Sequence, residues 1–176
     1  MPVTIGSKAV DFSLPGVDGK NHSLAELKDK DAVIVIFSCN HCPYVKAYED
    51  RIIAVQKDYA SRGAAVVAIN SNEDAGHPED SFAEMVRRAE EKKFNFLYLR
   101  DESQEAARRY SATHTPQIFL FDRERRLRYT GKIDDNWQEP GKVARKYLRE
   151  ALDAVLAGRD VPEPETHAIG CTIKWK

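Results

Sequence analysis

A chain of 176 residues with 42% hydrophobic and 31% charged side chains can bury the core of one domain of ordinary size. Its formal charge of −1 argues against nucleic acid or an anionic membrane surface as a partner. Three cysteines are too few for a disulfide-stapled secreted domain, so any paired cysteines point to redox or metal chemistry.

The first residues, Met1 to Lys8, lack a basic start followed by a long apolar stretch, and a cytoplasmic location is expected. Phe12, Leu14, Gly16, Asp18-Gly19 and Leu24 read as a hairpin packed against the body. Val33 to Phe37 is an unbroken β-branched run, as expected of a strand buried on both faces. The longest apolar run, Ala32 to Phe37, is far short of the roughly 20 residues that cross a bilayer. Val45, Tyr48, Ile52, Val55 and Tyr59 recur at helical spacing, with Pro43 suited to the first turn.

Ala65 to Ile69 predicts a second buried strand, followed by a polar loop from Asn70 to Asp80. A helix through Phe82, Met85, Val86 and Ala89 starts either at Pro78 or at the capping box Ser81-x-x-Glu84. Phe96 to Leu99 reads as a short strand, Ser103 to Tyr110 as a short helix and Gln117 to Phe121 as a strand. An alternating strand with Leu127 and Tyr129 follows, and Ala144, Tyr147, Leu148, Ala151, Leu152 and Val155 define a last helix. Arg123, Arg125, Arg126 and Arg128 alternate with apolar residues, which describes a solvated strand face. His22 lies near a turn and is expected to face solvent. Residues 159–176 have neither helical nor strand period. Strands separated by helices and closed by a hairpin predict one α/β domain over residues 1–158 with a tail packed on or near it.

Cys39-Asn-His-Cys42 falls between a buried strand and a helix N-terminus. Unpaired N–H groups and the helix dipole favour an anion there and lower a thiol's pKa, and only the thiolate attacks a disulfide. Spacing of i to i+3 puts both sulfurs on one face. Cys39, at the turn, is expected to be the exposed nucleophile and Cys42, in the first helical turn, the shielded resolving thiol. His41, when protonated, would add positive charge near the thiolate. Thr113-His114-Thr115-Pro116 precedes a strand, a position where proline fits and a cis bond is possible. His114 could line the rim of the site, and Asp134 to Trp137 could form a loop on the substrate side.

These residues resemble the thioredoxin-like redoxins, the group that holds thioredoxins, cytochrome-maturation thiol reductases and peroxiredoxins. The similarity runs from Val10 to Gly158 and rests on Asp11-Phe-Ser-Leu-Pro15, the strand–CxxC–helix unit, Val67-Ala-Ile-Asn70 and Thr115-Pro116. The nearest match is the peroxiredoxin-like AhpC/TSA subgroup that retains a CxxC. The resemblance implies a thioredoxin fold: a central mixed sheet flanked by helices, with an N-terminal hairpin extension and a C-terminal tail. It implies Cys39 as nucleophile, Cys42 as resolving thiol, and Thr115-Pro116 as the backbone that holds a substrate peptide. It also places Glu73 where a carboxylate assists the buried thiol in cytochrome-maturation relatives. Ser38 stands where those relatives carry Trp, and Asn40-His41 where they carry Gly-Pro.

Three functions follow. The first is disulfide exchange through Cys39 and Cys42, with protein or small-molecule disulfides and thiols as partners and an external thiol as reductant; it needs no cofactor. The second is peroxide reduction with Cys42 attacking. Aligning Cys42-Pro43 with the peroxiredoxin Cys-Pro puts Cys39 at the usual Thr and Pro116 at the usual Arg, so the groups that bind peroxide are missing from those places. The third is a non-enzymatic zinc module using Cys39, Cys42, His167 and Cys171. Cys171 is otherwise either a third redox thiol or an inert cysteine packed beside Ile169, Ile173 and Trp175.

Overall fold

The computed structural model describes residues 3–176. Two short strands, β1 (Ser13–Pro15) and β2 (Asn21–Ser23), pair antiparallel as the N-terminal hairpin. The central sheet holds β3 (Ala32–Ser38), β4 (Ala64–Asn70), β5 (Leu97–Arg100), β7 (Gln117–Phe121) and β8 (Leu127–Gly131), in the order β5-β4-β3-β7-β8. β3, β4 and β5 are mutually parallel, and β7 and β8 close the other side antiparallel. Helices α1 (Pro43–Tyr59), α2 (Phe82–Lys92), α3 (Glu105–Tyr110) and α4 (Tyr147–Leu156) connect and cover it. β6 (His114–Thr115) precedes β7 and pairs with the tail strand β9 (Cys171–Thr172). This is the thioredoxin fold.

Every residue of β3 is buried, because the strand's alternating side chains enter two different cores. Val33, Val35 and Phe37 meet Phe119, Phe121 and Tyr110 beneath the hairpin and α3. Phe37 packs edge-on against Phe119, with ring centroids 5.8 Å apart. Ile34 and Ile36 face the other way, into Tyr48, Ile52 and Val55 of α1 and Leu148 and Leu152 of α4. α2 seats Met85 on Ala68 and Tyr98 at the β4–β5 edge. The strand that carries the CxxC turn is therefore clamped from both faces. Ile34→Val, which removes one methyl group from a fully buried site, should lower unfolding free energy by about 1 kcal/mol in urea denaturation.

Both proposed starts of the second helix are used. Pro78–Asp80 form a separate 3-10 turn, and Ser81 then caps α2 by accepting the Glu84 N–H at 3.3 Å. The last helix begins at Tyr147, later than Ala144, because Ala144 N–H donates to Asp135 and Asp135 N–H to the Arg145 carbonyl. Those bonds tie the preceding segment to the Asp134 loop rather than to a helix. His22 is also corrected: it is buried, with Nε2 2.8 Å from Asp18 and Nδ1 3.0 Å from Glu26. The basic run is structural. Arg125 donates to the Leu27 and Lys30 carbonyls, Arg126 to the Gly6 carbonyl at 3.0 Å, Arg128 to Asp122, and Arg123 to Asp31.

The tail departs most from expectation, since it does contain a strand. Thr166 Oγ1 bonds Tyr129 OH at 2.8 Å and receives the Lys132 N–H at 3.0 Å. Gly131 permits this contact: a Cβ there would lie 2.5 Å from the Thr166 carbonyl oxygen, and its φ is +141°. Further on, Ile173 N–H donates to the Thr113 carbonyl, Glu73 N–H to the Lys174 carbonyl and Lys174 N–H to Asn72 Oδ1. The Ile173 side chain enters the core below the sheet. Among the described residues, no helix is long and apolar enough to cross a membrane.

Candidate active site

β3 ends at Ser38, and the chain turns through Cys39-Asn40-His41 into α1. Cys42 is the residue before the helix, with extended backbone, and Pro43 fills the first helical position, where a missing N–H leaves nothing unpaired. Three contacts hold the turn. Asn40 N–H donates to Asp80 Oδ1 at 2.7 Å, Asn40 Nδ2 to the Glu79 carbonyl at 2.9 Å, and Tyr98 OH to Asn40 Oδ1 at 2.7 Å.

All three cysteines are free thiols, and neither Cys39 nor Cys42 is exposed. The expected exposure of Cys39 is therefore corrected: it is 2% accessible, because Thr115, Tyr44 and the tail pack around the pair. The Thr115–Pro116 bond is cis. Thr115 touches both sulfurs, its hydroxyl 3.5 Å from Cys39 Sγ and its carbonyl oxygen 3.5 Å from Cys42 Sγ.

The electrostatics separate the two thiols in the direction opposite to the expected one. The neighbouring Cys39 thiol lowers the Cys42 pKa, burial opposes it, and the Cys171 thiol and the N–H groups of Val45 and Cys171 lower it further. Together they bring the Cys42 pKa down to about 4. Cys39 moves the other way. Its proton is held toward Cys42, and burial and the negative charge of Asp80 push it well above the ordinary thiol range. The position before α1 thus favours negative charge on Cys42 over Cys39. Burial and the adjoining Cys42 push Cys171 up to about 11.

Asp80 is the site residue that the sequence did not reveal. It is fully buried, and its oxygens meet Asn40 N, Asn70 Nδ2 at 3.4 Å, Asn72 Nδ2 at 3.0 Å and His41 Nδ1 at 2.5 Å. Glu73 lies in the same loop, but its carboxylate is taken by the Gly76 N–H at 2.9 Å and by His77, which hold it below the usual carboxylate range. The carboxylate whose field reaches Cys39 is Asp80. His41 stacks on His77 with centroids 5.7 Å apart and turns Nδ1 to Asp80, so its ring nitrogen serves a carboxylate. His114 bonds Thr113 through Nδ1 and pairs with Thr172 across β6 and β9. The Asp134 loop is pinned by Arg51 and Tyr48, and it lays Trp137 against Tyr44, with ring centroids 4.3 Å apart, beside the cysteines. A cleft lined by Asn40, His41, Lys46, Glu79 and Arg88 opens next to the turn.

The four proposed zinc ligands do not converge. Among the described residues, the metal-capable group whose ligand atoms lie within 4.8 Å of one another is Cys39, His41 and Asp80, without Cys42, His167 or Cys171. The Asp80 oxygens in that group already accept from Asn40, Asn70 and Asn72, so the carboxylate is satisfied without an ion.

No curated protein sequence matches the chain. Among solved structures it is 42% identical to a hypothetical protein, SMc02350, from Sinorhizobium meliloti, with a TM-score of 0.92 over 100% of this chain and 97% of that one. An uncharacterized conserved protein from Geobacillus kaustophilus is also 42% identical, with a TM-score of 0.93 over 98% of this chain and 93% of that one. A putative thiol:disulfide interchange protein DsbE from Chlorobium tepidum is 23% identical, with a TM-score of 0.71 over 88% of this chain and 99% of that one, a likeness of fold. The AhpC/TSA family model matches residues 5–130, from the N-terminal segment through the CxxC turn and the Thr115–Pro116 loop to β8. With well over half of its length so matched, and with the thioredoxin fold around a thiol pair, the chain belongs to the AhpC/TSA family of thiol redox proteins.

Proposed function

We propose that the protein is a thiol–disulfide oxidoreductase in which Cys42 carries the reactive thiolate and Cys39 completes the disulfide. The observation that carries this reading is the packing of two free thiols together at the N-terminus of α1, both against Thr115 of the cis Thr115–Pro116 loop. A thiolate so placed attacks one sulfur of a disulfide substrate and expels the other half as a thiolate. Cys39, packed beside Cys42, then gives up its proton and attacks the Cys42 sulfur. The second half of the substrate leaves, and Cys39–Cys42 remains. An external thiol returns the pair to the reduced state. The reading extends to a cytoplasmic setting, with protein or small-molecule disulfides as substrates.

Because Cys42 is already ionised above about pH 4 and Cys39 is pushed up, reduction takes up one proton for two electrons between them. The reduction potential should therefore fall by about 30 mV per pH unit from pH 5.5 to 7.5, where two protons would give about 59 mV. Equilibration with glutathione buffers at several pH values measures it. A slope near 59 mV would remove the Cys42 thiolate from the reduced state.

Peroxide reduction is the second reading, and the placement of the ionised thiol on Cys42, directly before Pro43, favours it. Among the described residues no guanidinium is hydrogen-bonded to either sulfur, so the charge that develops on a departing peroxide oxygen has no such partner. Rapid hydrogen peroxide consumption by Cys39→Ser with an external thiol would move the assignment to this reading.

A further inference from the structure

Cys171 lies in the tail, more than 120 residues beyond the CxxC turn, yet the fold brings it to Cys42. β9 pairs antiparallel with β6, with Cys171 opposite Thr115 and Thr172 opposite His114. Thr115 is the residue whose carbonyl lies 3.5 Å from Cys42 Sγ, so this register delivers Cys171 to that sulfur. Cys171 packs against the small cluster formed by Cys39, Cys42 and Val45.

The docking is close. A Cβ on Gly170 would lie 2.0 Å from the Thr115 carbonyl oxygen and 3.1 Å from Pro116 N. On the far side, Ile173 is buried and Lys174 is bonded at both its N–H and its carbonyl. β9 also takes the backbone groups of β6 that an incoming strand would need. Cys42 consequently has a thiol on either side, Cys39 from the turn and Cys171 from the tail.

We propose that Cys171 is a third redox thiol, held against Cys42 by the tail strand, and that a Cys42–Cys171 disulfide is the internal exchange partner of Cys39–Cys42. The proposal rests on the disulfide-exchange reading above. A low-molecular-weight disulfide RSSR is attacked by the Cys42 thiolate, which releases RS− and leaves Cys42–S–S–R. Cys171 loses its proton and attacks the Cys42 sulfur, expelling the second RS− and forming Cys42–Cys171. Cys39 then attacks the same Cys42 sulfur, forming Cys39–Cys42 and returning Cys171 as a thiol. Two electrons have left the protein, one RSSR has become one RS− and one RSH with the proton given up by Cys39, and Cys171 is ready again. Burial and the Cys42 charge both hold the Cys171 proton, and the second of these vanishes once Cys42 is in a mixed disulfide, which favours attack by Cys171 at that step.

The test uses the full chain, reduced and then exposed to oxidised glutathione, quenched with iodoacetamide and mapped by peptide mass spectrometry without reduction. Cys39→Ser should accumulate the Cys42–Cys171 disulfide and little glutathione adduct. Gly170→Ala, placed in the Cys39→Ser chain, should close that disulfide about tenfold more slowly or worse, since the added methyl displaces the tail. A lasting glutathione adduct on Cys42 with Cys171 alkylated, in a Cys39→Ser chain of native circular dichroism, would overturn the proposal. So would a wild-type time course in which Cys42–Cys171 never forms while Cys39–Cys42 does. Cys171→Ser separates the two levels: it should still form Cys39–Cys42, and failure to do so would sink the exchange reading and this proposal with it.

Discussion

Cys42→Ser should lose about a hundredfold in the rate of reaction with 2,2′-dithiodipyridine at pH 5, and the Cys39 thiol that remains should react as slowly as an ordinary buried cysteine. At that pH a thiol of the ordinary value near 9 is ionised to about one part in ten thousand, whereas Cys42, at about 4, is mostly thiolate. Nucleophilicity falls as pKa falls, with a Brønsted coefficient of about 0.4–0.5, which over five units returns roughly a factor of a hundred. The net advantage of Cys42 is what remains. Cys39→Ser should fall between wild type and Cys42→Ser, because a serine hydroxyl still donates to the Cys42 sulfur. The opposite ranking, with Cys39→Ser the slower variant, would return the nucleophile to Cys39. Stopped-flow absorbance of released thiopyridone reads both.

This assignment reverses the roles that position in the motif suggests, and the reason is local. Cys42 rather than Cys39 is the residue immediately before α1, so the unpaired first-turn N–H groups, that of Val45 among them, favour charge on its sulfur. Cys39 sits one turn of chain earlier, between Thr115 and the field of Asp80, where its proton is retained. A thiolate on Cys42 stabilises the reduced form in full above the ordinary thiol pKa of 9.0, and that contribution shrinks as pH falls and is gone below about 4.

Much of the scaffold was legible because it is locally encoded. The unbroken run of Val33 to Phe37 marks a strand wanted by two cores, and both cores are there. Val45, Tyr48, Ile52, Val55 and Tyr59 mark the α1 face that covers one of them and the cysteines beside it. Two features were not legible, for different reasons. β9 is two residues long, and its pairing with β6 depends on a contact between positions 115 and 171 that no local period announces. Asp80 reads as one more polar residue in a loop that also contains Glu73, Asp74 and Glu79. Only the 3-10 turn at Pro78 to Asp80 folds that carboxylate beneath the CxxC turn, where Asn40, Asn70 and Asn72 supply its donors. The burial of Cys39 follows from the same two long-range features.

Asp80 is for that reason the position where stability and chemistry meet, and two substitutions should separate them. Asp80→Ala strips the acceptor from the Asn40 N–H and the Asn72 amide, both of them buried. At about 1–3 kcal/mol for each buried donor left unpaired, with partial relaxation, the loss should be about 4 kcal/mol in urea unfolding. Asp80→Asn keeps the shape and one acceptor oxygen but turns an amide N–H toward a donor, so its cost should be nearer 1–2 kcal/mol. The charge is absent in both variants. Since the Asp80 charge is one of the causes that raise the Cys39 pKa, Asp80→Asn should shift the second thiolate step, followed by absorbance at 240 nm, to lower pH while leaving the Cys42 step near its original place. The potential should then keep its slope of about 30 mV per pH unit below the new, lower Cys39 value and flatten above it. An Asp80→Asn protein that unfolds like wild type and titrates both thiols unchanged would mean that this carboxylate neither holds the turn nor acts on Cys39.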